Sequence, residues 1–194
     1  MFSNIPKFPM AYLDGIAYFL EPTDEYSGTR FGGPPHETFN GLRPGQCPLH
    51  HVLTIAAREV PPLGLSGESR VPFFYGMRYE GCRLSYRLDR YSNCKLLNLE
   101  PPRPTPDWPY PDYPPFLQYI PLRLARRRPS TSEAFAKFVC QPITIKRKTL
   151  TVIVPPLFVG GVSMWGPEGD GEGVQIIFEY GLESRTVEAF NRCT

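Results

Sequence analysis

The chain is poor in the features from which membrane spans, disulfide frameworks and most catalytic centres are built. No apolar run approaches the ~20 residues a helix needs to cross a bilayer. Pro6, Pro9 and Asp14 fall where a secretory leader would carry an unbroken apolar stretch, so the cytoplasm is the expected compartment. Cys47, Cys82, Cys94, Cys140 and Cys193 are odd in number, widely spread and free of any CxxC pair; reduced thiols packed as small hydrophobes are expected. No G-x-S-x-G, H-E-x-x-H, Walker or G-x-G-x-x-G pattern is present, so no reaction class is indicated and the expectation leans away from an enzyme. A net charge of +2 is too close to balance to demand a nucleic-acid or membrane partner.

What the chain does have is proline and aromatic rings. There are 24 prolines in 194 residues, more than twice the usual share of about 5%. Proline removes backbone donors and breaks helices, while rings suit pleated, half-buried surfaces. The composition therefore predicts a single β-dominated α+β domain over 1–194: an antiparallel sheet or two packed sheets, one or two short helices, and long proline-rich loops. Gly15–Leu20 reads as a first strand and residues 21–46 as a long loop of turn residues, a length that often carries function. His50–Arg58 reads as a strand. Residues 71–79 and 82–88 flank Glu80-Gly81, and Cys82, Leu84, Tyr86 and Leu88 alternate with polar residues, which predicts a β-hairpin. Residues 101–115 carry eight prolines with Trp108, Tyr110 and Tyr113 among them, and should run as polyproline-II chain packed over the sheet. Further strands are expected over 116–124, 143–154, and a pair over 157–165 and 173–180. Ser130 and Glu133 make a capping box before a short helix over 134–139, and a second short helix is expected over 182–190.

Three clusters could carry chemistry. His36, Cys47 and His50, with His51 beside them, hold all three histidines and include a short Cys–His spacing, which could ligate zinc. His50 and His51 are adjacent, so on a strand one would face the core and the other solvent. Cys47 with a histidine could also be a nucleophile and base, although no third group is evident to orient them. Glu168, Asp170 and Glu172 alternate with glycine in an acidic loop that could hold a hard cation or dock on a basic partner. The basic clusters Arg123, Arg126, Arg127 and Arg128, then Lys146, Arg147 and Lys148, could contact phosphates or an acidic protein; the arginines are expected to flank a turn.

Arg30-Phe31-Gly32-Gly33-Pro34-Pro35, followed after a loop by Cys47-Pro48-Leu49-His50-His51-Val52-Leu53-Thr54-Ile55, resembles the F-G-G-x-P turn and following strand of the YwqG-like family of bacterial proteins. Trp165-Gly166-Pro167, the acidic loop and the strand Val174–Tyr180 are similar to that family's late W-G-[DE] turn and strand. The chain departs from the family at Thr54, where a glutamine is usual. The family has no established activity. The occurrence of its members among toxin and immunity systems implies a binding role.

The leading expectation is therefore a non-enzymatic protein-binding module, for instance an immunity-type protein that blocks a toxin. Its partner-binding residues would be Arg126, Arg127, Arg128, Glu168, Asp170 and Glu172, with no cofactor required. The first alternative is a metal-binding protein or metal-dependent enzyme with zinc on His36, Cys47 and His50 or His51. The second is nucleic-acid binding through Arg123–Arg128 and Lys146–Lys148.

Overall fold

The computed structural model describes residues 7–60, 65, 69–139, 141, 143–155, 157–158, 162–163 and 174–192. In chain order its strands are β1 (Met10–Leu13), β2 (Ile16–Pro22), β3 (Arg30–Phe31), β4 (Phe39–Asn40), β5 (His50–Ala56), β6 (Arg70–Tyr75), β7 (Arg83–Leu88), β8 (Cys94–Glu100), β9 (Ile120–Pro129), β10 (Thr149–Val154), β11 (Leu157–Phe158), β12 (Val162–Ser163), β13 (Gln175–Gly181) and β14 (Thr186–Arg192). A single helix, α1 (Ser132–Ala136), is found among the described residues. The β-dominated class read from composition is the observed one.

Twelve strands form one sheet in the order β4-β8-β7-β14-β13-β10-β1-β2-β9-β3-β5-β6; β11 and β12 pair with each other. All pairings in the large sheet are antiparallel except β4 with β8. The sheet curls until its two ends meet. Phe39 of β4 lies 5.1 Å from Phe74 of β6, and the Glu37 carboxylate lies 2.7 Å from Arg70. One large core fills the inside of the curl, from Leu20 and Phe31 through Phe73 and Tyr86 to Phe178 and Val187. A smaller core lies on the outer face, where Phe135 of α1 packs on Met10, Tyr12, Phe19, Ile153 and Ile177.

The predicted hairpin over 71–88 is not formed. β6 pairs with β5, whereas β7 pairs with β14 and β8. The intervening residues make successive turns, with Tyr79 N–H donating to Gly76 and Cys82 N–H to Tyr79. Instead of a ladder, side-chain hydroxyls bridge the arms, with Tyr75 donating to the Cys82 carbonyl at 3.1 Å. The buried Tyr86 hydroxyl accepts from Phe74 N–H at 2.9 Å and donates to the Pro72 carbonyl at 3.0 Å. The alternation over 82–88 was read correctly, but the neighbours of that strand come from the far end of the chain.

Four further expectations are corrected. The tail over 182–190 is not a helix: Thr186–Arg192 is a strand held between β13 and β7. β13 does not pair with residues 157–165, because β10 and β14 occupy its two edges. The helix begins earlier than predicted, with Thr131 rather than Ser130 as its N-cap, accepting from Ala134 N–H at 3.1 Å. Residues 101–115 do not run as continuous polyproline-II chain: Trp108 N–H bonds back to Thr105 and Tyr113 N–H to Tyr110. The segment does pack on the sheet as expected, with Tyr113 buried and Trp108 and Tyr110 against the main core.

The Phe31-Gly32-Gly33 turn has a clear local cause. Gly32 and Gly33 have φ of 59° and 72°, and a Cβ at Gly32 would stand 2.1 Å from the Gln118 carbonyl oxygen. The buried Arg30 side chain fixes this turn by donating to the Gly32 and Pro34 carbonyls.

Candidate functional site

The histidine cluster is structural. His50 and His51 are both buried, at 4% and 2% exposure, which overturns the expectation that one would face solvent. The sheet is covered on both sides here. His50 lies edge-on to Tyr113 of the proline-rich segment, and His51 lies edge-on to Phe74. A carbonyl can only accept, so the ring proton of His51 sits on Nδ1 and donates to Gly32, while Nε2 accepts from the Thr54 hydroxyl at 2.7 Å. Burial pushes the His51 pKa down to about 3, with the Arg30 charge adding to the effect, so the ring is neutral. His50 donates from Nε2 to the Pro114 carbonyl at 2.8 Å, and burial lowers its pKa as well. Cys47 is held at its backbone by the Tyr79 hydroxyl, and His36 is exposed on the loop before β4. The metal set His36, Cys47 and His50 is thus not assembled; among the described residues no three His, Cys, Asp or Glu side chains are grouped to hold a metal ion. No hydrogen bond joins Cys47 to a histidine ring among the described residues. Cys82 and Cys94 are buried free thiols, and burial raises the Cys82 pKa to about 12. Glu168, Asp170 and Glu172 lie outside the described residues, as do Cys140 and Cys193.

The two basic clusters have opposite fates. Lys146 Nζ lies 2.7 Å from Glu179 and 3.2 Å from Glu188, which face each other across β13 and β14. The hydrogen bond to Glu179 leads in holding the Lys146 pKa above its ordinary value. Lys148 Nζ lies 2.6 Å from Glu183. Among the described residues, Arg147 has no such pair. Two of the cluster's three charges are matched, Lys146 by carboxylates of β13 and β14 and Lys148 by one in the turn between them.

Arg123, Arg126, Arg127 and Arg128 lie on β9 itself and not at a turn. Strand position there is set by pairing: β9 follows β2 from Leu122 to Pro129, and side chains that could have been placed in a loop are carried along. The register steps between Phe19 and Leu20, which pair with Arg126 and Leu124 and leave Ala125 as the extra residue of a β-bulge. The bulge resets the alternation. Arg123, Arg126 and Arg128 come to the outer face, opposite Glu21, Phe19 and Ala17, while Arg127 is opposite Tyr18 of the inner core. The Arg126 guanidinium carbon lies 4.3 Å from the centre of the Phe19 ring, and that of Arg128 lies 5.0 Å from it and 5.8 Å from the Phe138 ring. All four arginines are exposed, and no described carboxylate is within ion-pair distance of any of them. On its other edge β9 meets β3 only at Ile120 and Pro121. Among the described residues, no strand pairs with that edge from Arg123 to Pro129.

The bulge is the part that sequence reasoning missed. With uniform alternation Arg126 and Arg128 would face away from Arg123, and no local pattern announces the slip. Comparison with known proteins adds no assignment: no family model, curated protein or solved structure matches the chain. No helix among the described residues is long and apolar enough to cross a membrane.

Proposed function

We propose that this is a cytoplasmic, non-enzymatic protein-binding module that uses the arginine strand β9 to hold an acidic, extended segment of another protein. One observation carries the reading: four exposed arginines, none with a carboxylate partner among the described residues, stand on a strand whose outer edge pairs with no described strand from Arg123 to Pro129. An incoming strand can pair its backbone with such an edge, and its carboxylates can reach the guanidiniums on the outer face. The Phe19 and Phe138 rings hold Arg126 and Arg128 in place, which lowers the ordering needed on binding. Neutralising a toxin in the manner of an immunity protein is one form this role would take, and the YwqG-like resemblance is what suggests it.

The test is fluorescence anisotropy with a labelled peptide of alternating glutamate and valine, set against a single-stranded RNA of equal charge. The native chain should prefer the peptide, and the R126Q/R128Q variant should bind it about tenfold or more weakly, since charge-assisted hydrogen bonds are worth roughly 1.5–3 kcal/mol each. Preference for the RNA would replace the reading by nucleic-acid binding. Binding of neither, with arginines that serve only to keep the edge from pairing wrongly, would end it.

A further inference from the structure

A groove of about 520 Å³ lies on the outer face of β7, β14 and β13, bounded by residues 143–146 and by Asn98 of β8. That volume is in the range of small-molecule sites. Both signs of charge are present, but they are not equally available. Glu179 and Glu188 share Lys146, so one lysine and two carboxylates are committed to one another. Two guanidiniums remain. Arg83 is exposed, and Glu100, its partner in the β7–β8 register, accepts instead from the Asn98 amide at 3.2 Å. Arg192 makes no ion pair with a described carboxylate, and its Nε is buried with no hydrogen-bond partner. Both flank one ring: Phe190 is the cross-strand neighbour of Arg83, and the Arg192 guanidinium carbon lies 4.8 Å from its centre.

We propose that this groove binds a small organic carboxylate, with its charged end held by Arg83 and Arg192 and its apolar body laid on Phe190 and Ile143. Guanidinium forks match the two oxygens of a carboxylate, and an aromatic floor beside them selects a flat or aliphatic body over a bare ion. The committed Glu179–Lys146–Glu188 set forms the polar wall and repels a second anion. The site is separate from β9 and does not depend on the role proposed for that strand.

The experiment is a titration of the isotopically labelled full chain, followed by backbone amide NMR, with benzoate, inorganic phosphate and benzamidine. Benzoate should give saturable shifts at Arg83, Phe190 and Arg192, and benzamidine none. R83Q and R192Q should each weaken benzoate by about tenfold, as expected for loss of one charge-assisted contact, while R126Q/R128Q leaves it unchanged. The exposed position of Arg83 makes R83Q the variant least able to disturb folding, which a thermal melt confirms. Absence of saturable benzoate shifts, equal response to benzamidine, or phosphate binding as tight as benzoate would overturn the proposal.

Discussion

Strands β5 and β9 are separated only by β3 in one sheet. Each begins within or carries a run that looks chemically loaded, Cys47–His51 leading into β5 and Arg123–Arg128 along β9. On β5 both imidazoles are buried, and three of their four ring nitrogens are spent on named protein partners. On β9 the arginines are exposed and no described carboxylate answers them. The difference teaches that residue type alone does not mark a site. A polar group whose bonds are made inside the protein is part of the scaffold; one held in place with its bonds unmade is available to something else. Lys146 is the intermediate case, half exposed yet committed to two carboxylates.

The sharpest way to break this comparison is at His51. H51A removes the hydrogen-bond partner of the Thr54 hydroxyl and one of the two donors to the Gly32 carbonyl, opens a cavity, and should lower stability by about 2–4 kcal/mol in urea unfolding. A loss below 1 kcal/mol, on the scale of ordinary surface substitutions, would deny that β5 is scaffold. The next effect is pH dependence. With a folded-state pKa of about 3 against 6.5, the unfolded chain takes up the His51 proton first. Stability is then complete above pH 6.5 and falls as pH drops from there toward 3, by about 2–3 kcal/mol by pH 4.5 at 1.4 kcal/mol per unit. H51Q should be less stable at neutral pH but show a flatter slope over the same window; an unchanged slope would remove His51 as its source.

Lys146 should give a smaller change. K146M leaves the Glu179 carboxylate, 7% exposed, without its closest partner and should cost about 1–2 kcal/mol, less than a fully buried pair because the lysine is half in solvent. The smallest stability effect belongs to β9. R126Q/R128Q should shift unfolding by no more than about 0.5 kcal/mol, the cation–π contacts being weak at exposed sites. The same variant should lose peptide binding, so the residues that matter least for folding are those that matter most for recognition.

What could be read from the chain follows the range of the interaction concerned. β7 was legible because burial on one pleated face leaves a period of two within six residues, and β5 because a strand buried on both faces leaves a short run rich in apolar residues that prolines end. The hairpin over 71–88 was misread because β6 and β7 are neighbours along the chain and yet find their ladders with β5 and β14; side chains, among them the Tyr75 and Tyr86 hydroxyls, tie the two arms. The tail over 182–190 was misread as helix because short apolar runs do not distinguish the two periods, and two long-range ladders decided the outcome. At the candidate site the arginines were visible, but their grouping on one face was not, since it depends on where β2 slips against β9. The neutralising carboxylates of Lys146 and Lys148 were equally hidden, because Glu179, Glu183 and Glu188 reach them from more than thirty residues away in the chain.

The order of strands also sets a timetable. The β1–β2 hairpin is complete in sequence by residue 22, but the strands that cover its two edges, β9 and β10, come at 120–129 and 149–154. At about 5–20 residues per second, synthesis leaves both edges of that hairpin bare for several seconds or more. The arginine strand arrives to close one of them, and no described strand pairs with its own other flank beyond Pro121. Charges on an unpaired strand edge disfavour pairing with another chain, so they are expected to matter while the later strands β10, β13 and β14 are still to be made. Nascent chains stalled after residue 130 should accordingly aggregate more readily when Arg126 and Arg128 are glutamine, and equal behaviour would show that the charges act only in the finished protein.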